Sequence, residues 1–248
     1  TPEISRKLKL QSLNIGSALV SIAGSLPDSA IVINRSPGIG LTAAETKESV
    51  DTILQAYRDA GVNKYFLHRH PDSQPAEIVD WFLSAGLEKA RGWQKFRRGT
   101  DPVQSIETDL NIKEIGPEYA EHFGTIATDA FDIGQAAAPW LATMFVRTGW
   151  HIFMSFDGET PAGVGAVFIR HGIAWMDFGA TSPEFRCRGS QGALLARRIE
   201  YALDNGCRQI FTCTGEDIAG DPQHSYKNIL RMGFSKDYLR ENYAPANR

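Results

Sequence analysis

Residues 186–193 read RCRGSQGA and connect a predicted strand to a predicted helix. The strand is Ile173 to Ala180 and the helix is Gly189 to Asn205, so that the loop opens the helix. This stretch decides the fold, because it fixes one strand-to-helix connection from which the other strands and helices can be placed in order.

The helix that follows the loop is amphipathic. Leu195, Ile199 and Ala202 recur at helical spacing and form an apolar stripe, whereas Arg197 and Arg198 are assigned to the polar face. The stripe predicts that one side of this helix packs on a sheet.

The loop has the properties of an anion-binding site. The first N–H groups of a helix have no partner within the helix and lie at the positive end of its dipole. Gly189 and Gly192 place no side chain between an anion and the backbone, and Arg186 and Arg188 add positive charge. An ordinary strand-to-helix turn with solvated arginines shows the same pattern, so a glycine-rich loop alone is weak evidence.

The rest of the C-terminal half alternates strands and helices around this loop. The predicted elements are, in order, strand 105–114, helices 117–131 and 135–147, strands 150–156, 162–170 and 173–180, helix 189–205, strand 209–214, helix 223–232 and strand 236–243. The polar run 97–102 contains Gly and Pro and is typical of a domain junction. We therefore predict two domains, residues 1–99 and residues 100–248.

The loop and this order of elements resemble the GNAT superfamily of acetyltransferases. The family loop reads Gln or Arg, two residues, Gly, one residue, then Gly or Ala; Arg186 and Gly189 match, and Gln191 occupies the last position. The resemblance covers nearly all of the C-terminal half. It implies an α/β (α+β) domain in which a mixed, mostly antiparallel sheet is flanked by helices.

The same resemblance implies an activity and a set of cofactor contacts. It implies acetyl-CoA as co-substrate, no metal, and direct attack on the thioester by a primary amine of a small molecule or a protein. The implied cofactor contacts are Phe178, Gly179, Ala180, Thr181, Arg186, Cys187, Arg188, Gly189, Ser190, Gln191, Gly192, Ala193, Ser225 and Asn228.

A base must take a proton from the amine, and three residues are candidates for it. Asp177 is a carboxylate inside an apolar strand, Glu216 follows the strand 209–214, and His224 titrates near neutral pH. A carboxylate in such a place is also a common paired structural group. Their positions in the sequence do not rank the three.

The resemblance also implies an acid that protonates the departing thiolate and a backbone oxyanion donor near Gly179 or Ala180. The family often has a Tyr where this chain has Ile229. Tyr226 and Ser225 are the alternative proton donors, and the thiolate can also leave without one. An aromatic residue on an amphipathic helix is usually part of the core, which is the competing interpretation of Tyr226.

The N-terminal half resembles a truncated copy of the same fold. Residues 35–40 read RSPGIG and match the family loop, and residues 59–67 repeat the helix–Gly–strand pattern of 204–212. Only about 30 residues precede Arg35, too few for all the earlier elements at ordinary lengths. We therefore assign cofactor binding to the C-terminal half, and to the N-terminal half the wall of the acceptor cleft, with Trp81 and Trp93.

Composition excludes several classes of protein. The net charge is -3 and the pI about 6.1, so the protein lacks the excess of positive charge that is typical of nucleic-acid-binding proteins. The three cysteines share no zinc or redox spacing and are expected to be reduced thiols in a cytoplasmic protein. No stretch approaches the roughly 20 apolar residues of a membrane span. We expect a monomer or homodimer that binds an acyl-CoA and an amine acceptor.

Two other functions are compatible with these residues. A non-catalytic module that binds acyl-CoA as a sensor or scaffold explains the absence of the expected Tyr. A protein that binds another phosphate ligand is a weaker alternative, because no lysine-serine phosphate loop or dinucleotide fingerprint follows a strand.

Overall fold

The computed structural model describes residues 1–221 and 224–246, which form two compact units. Unit 1 contains residues 1–93, 132–136 and the C-terminal residues from 239. Unit 2 contains residues 94–131 and 137–238. The chain thus enters unit 2 at Gln94, whereas the sequence places the second domain from residue 100.

Unit 1 is a mixed sheet with helices. Its elements are helix α1 (Pro2–Lys7), strands β1 (Leu10–Ile15), β2 (Ala18–Ala23) and β3 (Arg35–Ser36), helix α2 (Lys47–Asp59), strand β4 (Phe66–Arg69), helix α3 (Ile78–Ser84) and strand β5 (Leu87–Arg98), whose end lies in unit 2. β1 and β2 form an antiparallel hairpin, β2 pairs antiparallel with β3, and β3 pairs parallel with β4. Ile22, Ile53 and Phe82 are fully buried in its core.

Unit 2 contains a mostly antiparallel sheet. Its elements are strand β6 (Asn111–Glu114), helices α4 (Ala120–Phe131) and α5 (Ala138–Ala142), strands β7 (Trp150–Asp157), β8 (Thr160–Arg170) and β9 (Ile173–Thr181), helix α6 (Ser190–Asp204), strand β10 (Gln209–Gly215), helix α7 (His224–Arg231) and strand β11 (Ser235–Pro245), whose end lies in unit 1. β6 to β9 pair antiparallel in sequence order, and β10 pairs parallel with β9. None of the described helices is long and apolar enough to cross a bilayer.

The two halves of the chain share an order of elements. Unit 1 runs β1-β2-β3-α2-β4-α3-β5, and the second half runs β7-β8-β9-α6-β10-α7-β11. In both halves, two strands are followed by a third strand, a helix and a fourth strand, and the third and fourth strands pair in parallel. These parallel pairs are β3 with β4 and β9 with β10. This agreement supports the internal repeat, and the tandem arrangement itself stays a prediction.

Strands β9 and β10 pair over three residues only. Residues 209–211 pair with 173–175, after which the structure records no further pairing between the two strands. On its other side β9 carries a bulge against β8, where Val164 pairs with Ala180 and Ala166 pairs with Asp177. Residues 178 and 179 therefore face one residue of β8, and β9 bends at the point where it separates from β10.

The elements around the loop at residues 186–193 agree closely with the sequence. α6, β7, β8, β9 and β10 begin and end within two residues of their predicted bounds. The helix predicted over 223–232 is α7, and Gln223 lies outside the described residues. The mixed, mostly antiparallel sheet with flanking helices is also confirmed.

The apolar run from Ala30 to Asn34 predicts a strand, and this prediction is wrong. Asp28–Val32 is a 3-10 helix, and the side chain of Asn34 accepts a hydrogen bond from the Ala23 N–H at 2.7 Å. Short apolar runs do not distinguish a strand from a helical turn by periodicity. The sequence also predicts a helix over Thr42 to Ala60 with Thr42 as its cap, but the helix begins later, at Lys47, and Thr46 caps it.

Two predicted elements of unit 2 are shorter than expected. The strand predicted over 105–114 begins at Asn111, because the Thr108 hydroxyl bonds instead to the Arg188 carbonyl at 2.7 Å. The helix predicted over 135–147 is divided into α5 and two short 3-10 turns. The Thr143 hydroxyl donates to the Trp140 carbonyl at 2.7 Å and so competes with the helical bond there.

Candidate functional site

The loop between β9 and α6 presents unpaired backbone N–H groups. Cys187 and Gly189 have φ values of 63° and 80°, which turn the chain sharply before α6 begins at Ser190. The first backbone bond of the helix is from the Ala193 N–H to the Gly189 carbonyl at 3.0 Å. In residues 1–221 and 224–246, the N–H groups of residues 188–192 have no acceptor. These N–H groups can bind an anion at the positive end of the helix dipole.

The first turn of α6 is anchored by buried hydroxyl groups. Ser190 is 2% exposed, and its Oγ lies 2.8 Å from Ser155 Oγ on β7. Thr181 Oγ1 on β9 donates to the same oxygen at 3.2 Å. A Cβ on Gly163 would lie 2.7 Å from Ser190 Oγ, so that β8 must carry a glycine there. The loop is therefore held by the sheet and not only by its own turn.

The two arginines of the loop differ in their partners. Arg188 bonds to the carboxylates of Asp109 and Asp157, and these hydrogen bonds lower the pKa of both carboxyl groups and raise the pKa of Arg188. Its charge is thus neutralised by two acids. Arg186 is exposed and has no hydrogen-bond partner in the part of the chain that the structure describes. Of the two side chains, only Arg186 is available to an incoming anion.

A cleft lies next to the loop, where β9 and β10 separate. It is bounded by the two strands, the first turns of α6 and α7, and the end of α4. Its lining residues are Phe131, Met176, Asp177, Phe178, Gly179, Gln191, Leu195, Arg198, Thr212, Cys213, Thr214, Ser225, Asn228 and Ile229. Six of the residues predicted from the sequence are among them: Asp177, Phe178, Gly179, Gln191, Ser225 and Asn228.

The bulge in β9 forms one wall of this cleft. Phe178 has a φ of 48°, which is uncommon for a residue with a side chain. Asp177 stabilises this turn, because one carboxylate oxygen accepts from the Phe178 N–H at 2.9 Å and the other from Trp175 Nε1 at 3.0 Å. The ring of Phe178 packs edge-on against Phe123 and Phe131. Asp177 is thus in the cleft, with both oxygens already hydrogen bonded.

Arg198 is a residue that sequence reasoning placed incorrectly. It is assigned to the polar face of α6 in the sequence, but the structure buries it at 3% exposure beneath the bulge. It lies four residues after Leu194 and three after Leu195, on the same face as these buried residues. That spacing was the available signal. A Cβ on Gly165 would lie 2.7 Å from Arg198 Cζ, so the glycine makes room for the guanidinium.

Gln191 occupies the position at which the loop departs from the GNAT pattern. Its Nε2 donates to Ser225 Oγ at 2.8 Å, and its Oε1 accepts from Asn228 Nδ2 at 2.7 Å. The side chain thus connects the start of α6 to α7 across the cleft. The Ser225 hydroxyl accepts in this contact, which leaves its own proton free to be donated.

Tyr226, one of the two proton donors expected from the sequence, is not among the described residues that line the cleft. It is 5% exposed and packs edge-on against Phe96, with ring centroids 5.0 Å apart. Its hydroxyl bonds to Lys236 and raises the pKa of that lysine. Tyr226 is a core residue because the apolar side of α7 faces the sheet.

The other predicted catalytic residues lie at the ends of elements. Glu216 is half-buried and directly follows β10. His224 is exposed at the first residue of α7. Neither side chain is among the described residues that line the cleft.

The matching loop in unit 1 is built differently. The Gly40 N–H donates to Ser17 Oγ at 2.7 Å, and the Leu41 N–H donates to the Gly38 carbonyl at 3.1 Å. Helix α2 begins only at Lys47, so this loop does not open a helix. The N–H groups of Gly40 and Leu41 are therefore already paired.

No protein-family model and no curated protein matches the chain. Solved structures are similar to it. A GCN5-related N-acetyltransferase from Kribbella flavida is 13% identical, with a TM-score of 0.68 over 99% of this chain and 92% of that one. One from Sphaerobacter thermophilus is 14% identical, with a TM-score of 0.66 over 98% and 84%. A tandem GNAT protein from the clavulanic acid biosynthesis pathway is 15% identical, with a TM-score of 0.59 over 81% and 69%. The chain therefore has the fold of the GCN5-related N-acetyltransferase (GNAT) superfamily.

Proposed function

We propose that unit 2 binds an acyl-CoA and transfers its acyl group to a primary amine. The observation that carries this proposal is the row of unpaired N–H groups at residues 188–192 directly beside the cleft between β9 and β10. The N–H groups suit a pyrophosphate, and the separated strands offer backbone groups to an extended arm. The fold supports the same class of reaction.

The residues of the loop and of β9 have distinct parts in this proposal. The N–H groups of residues 188–192 hold the pyrophosphate, and the exposed side chain of Arg186 adds a charge. The strand end from Phe178 to Thr181 faces the pantetheine arm. Arg188 acts through its carbonyl and its two carboxylate partners, which fix the shape of the loop.

The reaction requires a nucleophile, a proton acceptor and a proton donor. The amine nitrogen attacks the thioester carbonyl carbon, so that a C–N bond forms and the C–S bond breaks. A base takes the proton that the amine loses, and the thiolate gains a proton to become free CoA. Ser225 is the proton donor that the geometry favours, since its hydroxyl lines the cleft and keeps its proton.

Asp177, Glu216 and His224 all stay candidates for the proton acceptor, and the two carboxylates can be compared by substitution. Asp177 lines the cleft, but both of its oxygens already accept hydrogen bonds, from Trp175 Nε1 and the Phe178 N–H. Glu216 follows β10 at the end where the strands separate. Glu216→Gln is therefore expected to lower kcat more than it changes binding, whereas Asp177→Asn is expected to disturb the bulge as well.

Titration calorimetry with acetyl-CoA tests the binding step directly. Heat and a thermal shift are expected for the intact protein, and the absence of both would refute the proposal. A panel of amines with detection of released thiol then tests transfer. Ser225→Ala should slow release at high pH less than at low pH, because a thiolate needs less help in leaving when protons are scarce.

A non-catalytic acyl-CoA-binding module is the second candidate function. It is favoured by one observation: Tyr226 is in the core, and Ile229 lines the cleft at the position where the family often has its tyrosine. This candidate predicts acyl-CoA binding without thiol release for any amine of the panel. Release with even one amine would exclude it.

We infer that unit 1 is a copy of the same fold without a cofactor site of its own. The shared order of elements supports the duplication. The paired N–H groups of Gly40 and Leu41, and the start of α2 only at Lys47, support the loss of binding. A stoichiometry of one acetyl-CoA per chain is expected by calorimetry. Two sites per chain would overturn this part of the proposal.

A further inference from the structure

Arg198 places a positive charge in the floor of the cleft without a carboxylate partner. Its Nε donates to the Leu194 carbonyl, and its Nη1 donates to the carbonyls of Ala166 and Asp177, each at 2.9 Å. All three acceptors are neutral. No ion pair joins Arg198 to an acid within residues 1–221 and 224–246. A buried guanidinium is normally retained where an anion compensates it.

One nitrogen of this guanidinium remains open to the cleft. Nη2 has no acceptor among the described residues, and a Cβ on Gly179 would lie only 3.3 Å from it. Both Arg198 and Gly179 line the cleft. The N–H groups of Nη2 are therefore accessible to a ligand in the cleft that can accept a charge-assisted hydrogen bond.

The acids within residues 1–221 and 224–246 do not supply this acceptor. Asp177 is the neighbouring carboxylate and offsets part of the burial that lowers the pKa of Arg198 to about 10. Its two oxygens, however, are bonded to Trp175 Nε1 and the Phe178 N–H. The charge of Arg198 is thus available to an anion that enters the cleft.

We propose that Arg198 binds a carboxylate at the end of the acyl chain, so that the donor is a short dicarboxylic acyl thioester such as malonyl-CoA or succinyl-CoA. This inference rests on the proposed function. A neutral acyl chain leaves Nη2 without an acceptor, whereas a carboxylate supplies both the charge and the oxygen lone pairs that a guanidinium binds. Arg198 is then the residue that determines acyl specificity.

The test compares ligands on the unaltered protein. Malonyl-CoA ends in a carboxylate, and isovaleryl-CoA is its neutral counterpart, with two methyl groups in place of the two carboxylate oxygens. Succinyl-CoA and 4-methylpentanoyl-CoA form a second pair that is longer by one methylene group. Calorimetry is expected to show the acid binding about 10 to 100 times more tightly than its neutral partner in at least one pair. Equal or weaker binding of the acid in both pairs would overturn the inference.

Free CoA separates this inference from the proposed function. If neither CoA nor any thioester binds, the proposed function fails. If CoA and all four thioesters bind without preference for the acids, acyl-CoA binding stands and only the role of Arg198 fails.

A variant then assigns the preference to Arg198. Arg198→Met is expected to abolish it and to leave free CoA bound. Arg197→Met is the matched control on the exposed side of the same helix, where Arg197 Nη1 lies 3.6 Å from Glu200 Oε2, and it should keep the preference. Retention of the preference in Arg198→Met contradicts the assignment.

Arg198 also bonds to three carbonyls, so each variant is checked by thermal melting before binding is measured. If Arg198→Met does not fold, Arg198→Lys takes its place. Its single ammonium group cannot reach both the carbonyls and the ligand, so the preference is expected to fall. An unchanged preference in the folded Lys variant contradicts the assignment.

Discussion

At the scale of single residues, Gly165 and Arg198 depend on each other. The guanidinium occupies the space in which a side chain at residue 165 would begin, with Cζ and Nε each 2.7 Å from the position of a Cβ. From that position Arg198 Nη1 donates to the carbonyls of Ala166 and Asp177, which lie beside the bulge in β9. A side chain at residue 165 must therefore displace the guanidinium from its acceptors.

Gly165→Ala is expected to lower the free energy of unfolding by about 1 to 3 kcal/mol, because it overpacks a buried site. In the Arg198→Met background the same change should cost less, since methionine can move aside. Urea denaturation of the four proteins of this double-mutant cycle measures the coupling, which we expect to reach about 1 kcal/mol or more. Additive effects would show that the two residues are independent.

Arg186 and Arg35 test which loop binds the cofactor. Arg186 is exposed beside unpaired N–H groups, whereas Arg35 precedes a loop in which the N–H groups of Gly40 and Leu41 are paired. Arg186→Ala is expected to weaken CoA binding about 10-fold, which corresponds to one charge-assisted hydrogen bond. Arg35→Ala should leave binding unchanged in the same calorimetric experiment. The reverse result would move the site to unit 1.

At the scale of elements, α6 is bounded by two left-handed glycines with different surroundings. Gly189 has a φ of 80°, and a Cβ there would lie 2.7 Å from the Glu107 carbonyl oxygen. Gly206 has a φ of 76° and nothing within 4 Å of such a Cβ. The conformational demand is the same at both ends, but only the N-terminal end is crowded.

Gly189→Ala should therefore destabilise the protein more than Gly206→Ala does. The left-handed conformation costs a residue with a Cβ about 1 kcal/mol at either site, and the clash with the backbone adds to it only at Gly189. Thermal melting measures the difference. CoA binding should be lost in Gly189→Ala and kept in Gly206→Ala. Equal melting temperatures would mean that residues 105–110 adapt to the added methyl group.

The sequence predicts best the elements that are packed against the core along their whole length, because burial imposes a regular spacing of apolar residues on them. β8 and α6 pack along their length, so that apolar periodicity marks their ends. Residues 37–46 and 105–110 are different, because their conformation depends on bonds to distant residues. The Glu45 N–H bonds to the Gln74 carbonyl, and Thr108 bonds to the Arg188 carbonyl. The spacing of residues within a short segment does not show which distant residues it will bond to.

At the scale of the whole molecule, stability depends on pH through buried carboxylates. Glu45 is 6% exposed. Burial raises its pKa, but the hydrogen bonds from the hydroxyl and the N–H of Ser17, together with those from Ser49 and Thr46, outweigh this effect and hold the pKa below its ordinary value of 4.5. A carboxyl group whose pKa is lowered on folding stabilises the folded state at pH values above its unfolded pKa.

The contribution of Glu45 should therefore be complete at neutral pH and be lost as the pH falls below about 4.5 towards its folded pKa. Glu45→Gln is expected to lower the free energy of unfolding at pH 7 by about 1 to 3 kcal/mol and to flatten its fall in acid. Glu88→Gln, on the exposed part of β5, is the control and should change neither. Urea denaturation between pH 3 and pH 7 makes the comparison. If the free energy of unfolding falls as steeply with decreasing pH in Glu45→Gln as in the natural protein, ionised Glu45 is not the group that causes the loss of stability in acid.

The candidate site was predictable in its backbone and less so in its side chains. The loop and the end of β9 follow from residue spacing and the family resemblance, because glycines and strand ends mark them. The roles of Tyr226 and Arg198 did not follow, since each is decided by the way its helix is rotated on the sheet. Both residues lie on faces whose burial depends on elements distant in sequence.

The bonds from Gln191 to Ser225 and Asn228 have a consequence for the rate at which a cofactor arrives and leaves. An arm that carries amide groups can replace these side-chain contacts one for one, so that equilibrium affinity changes little. The bonds from Gln191 to Ser225 and Asn228 must nevertheless break before the cofactor can pass, which slows both its association and its dissociation. In stopped-flow measurements Gln191→Ala should thus speed CoA association and dissociation by similar factors. Faster exit alone would mean that Gln191 holds the cofactor instead of delaying it.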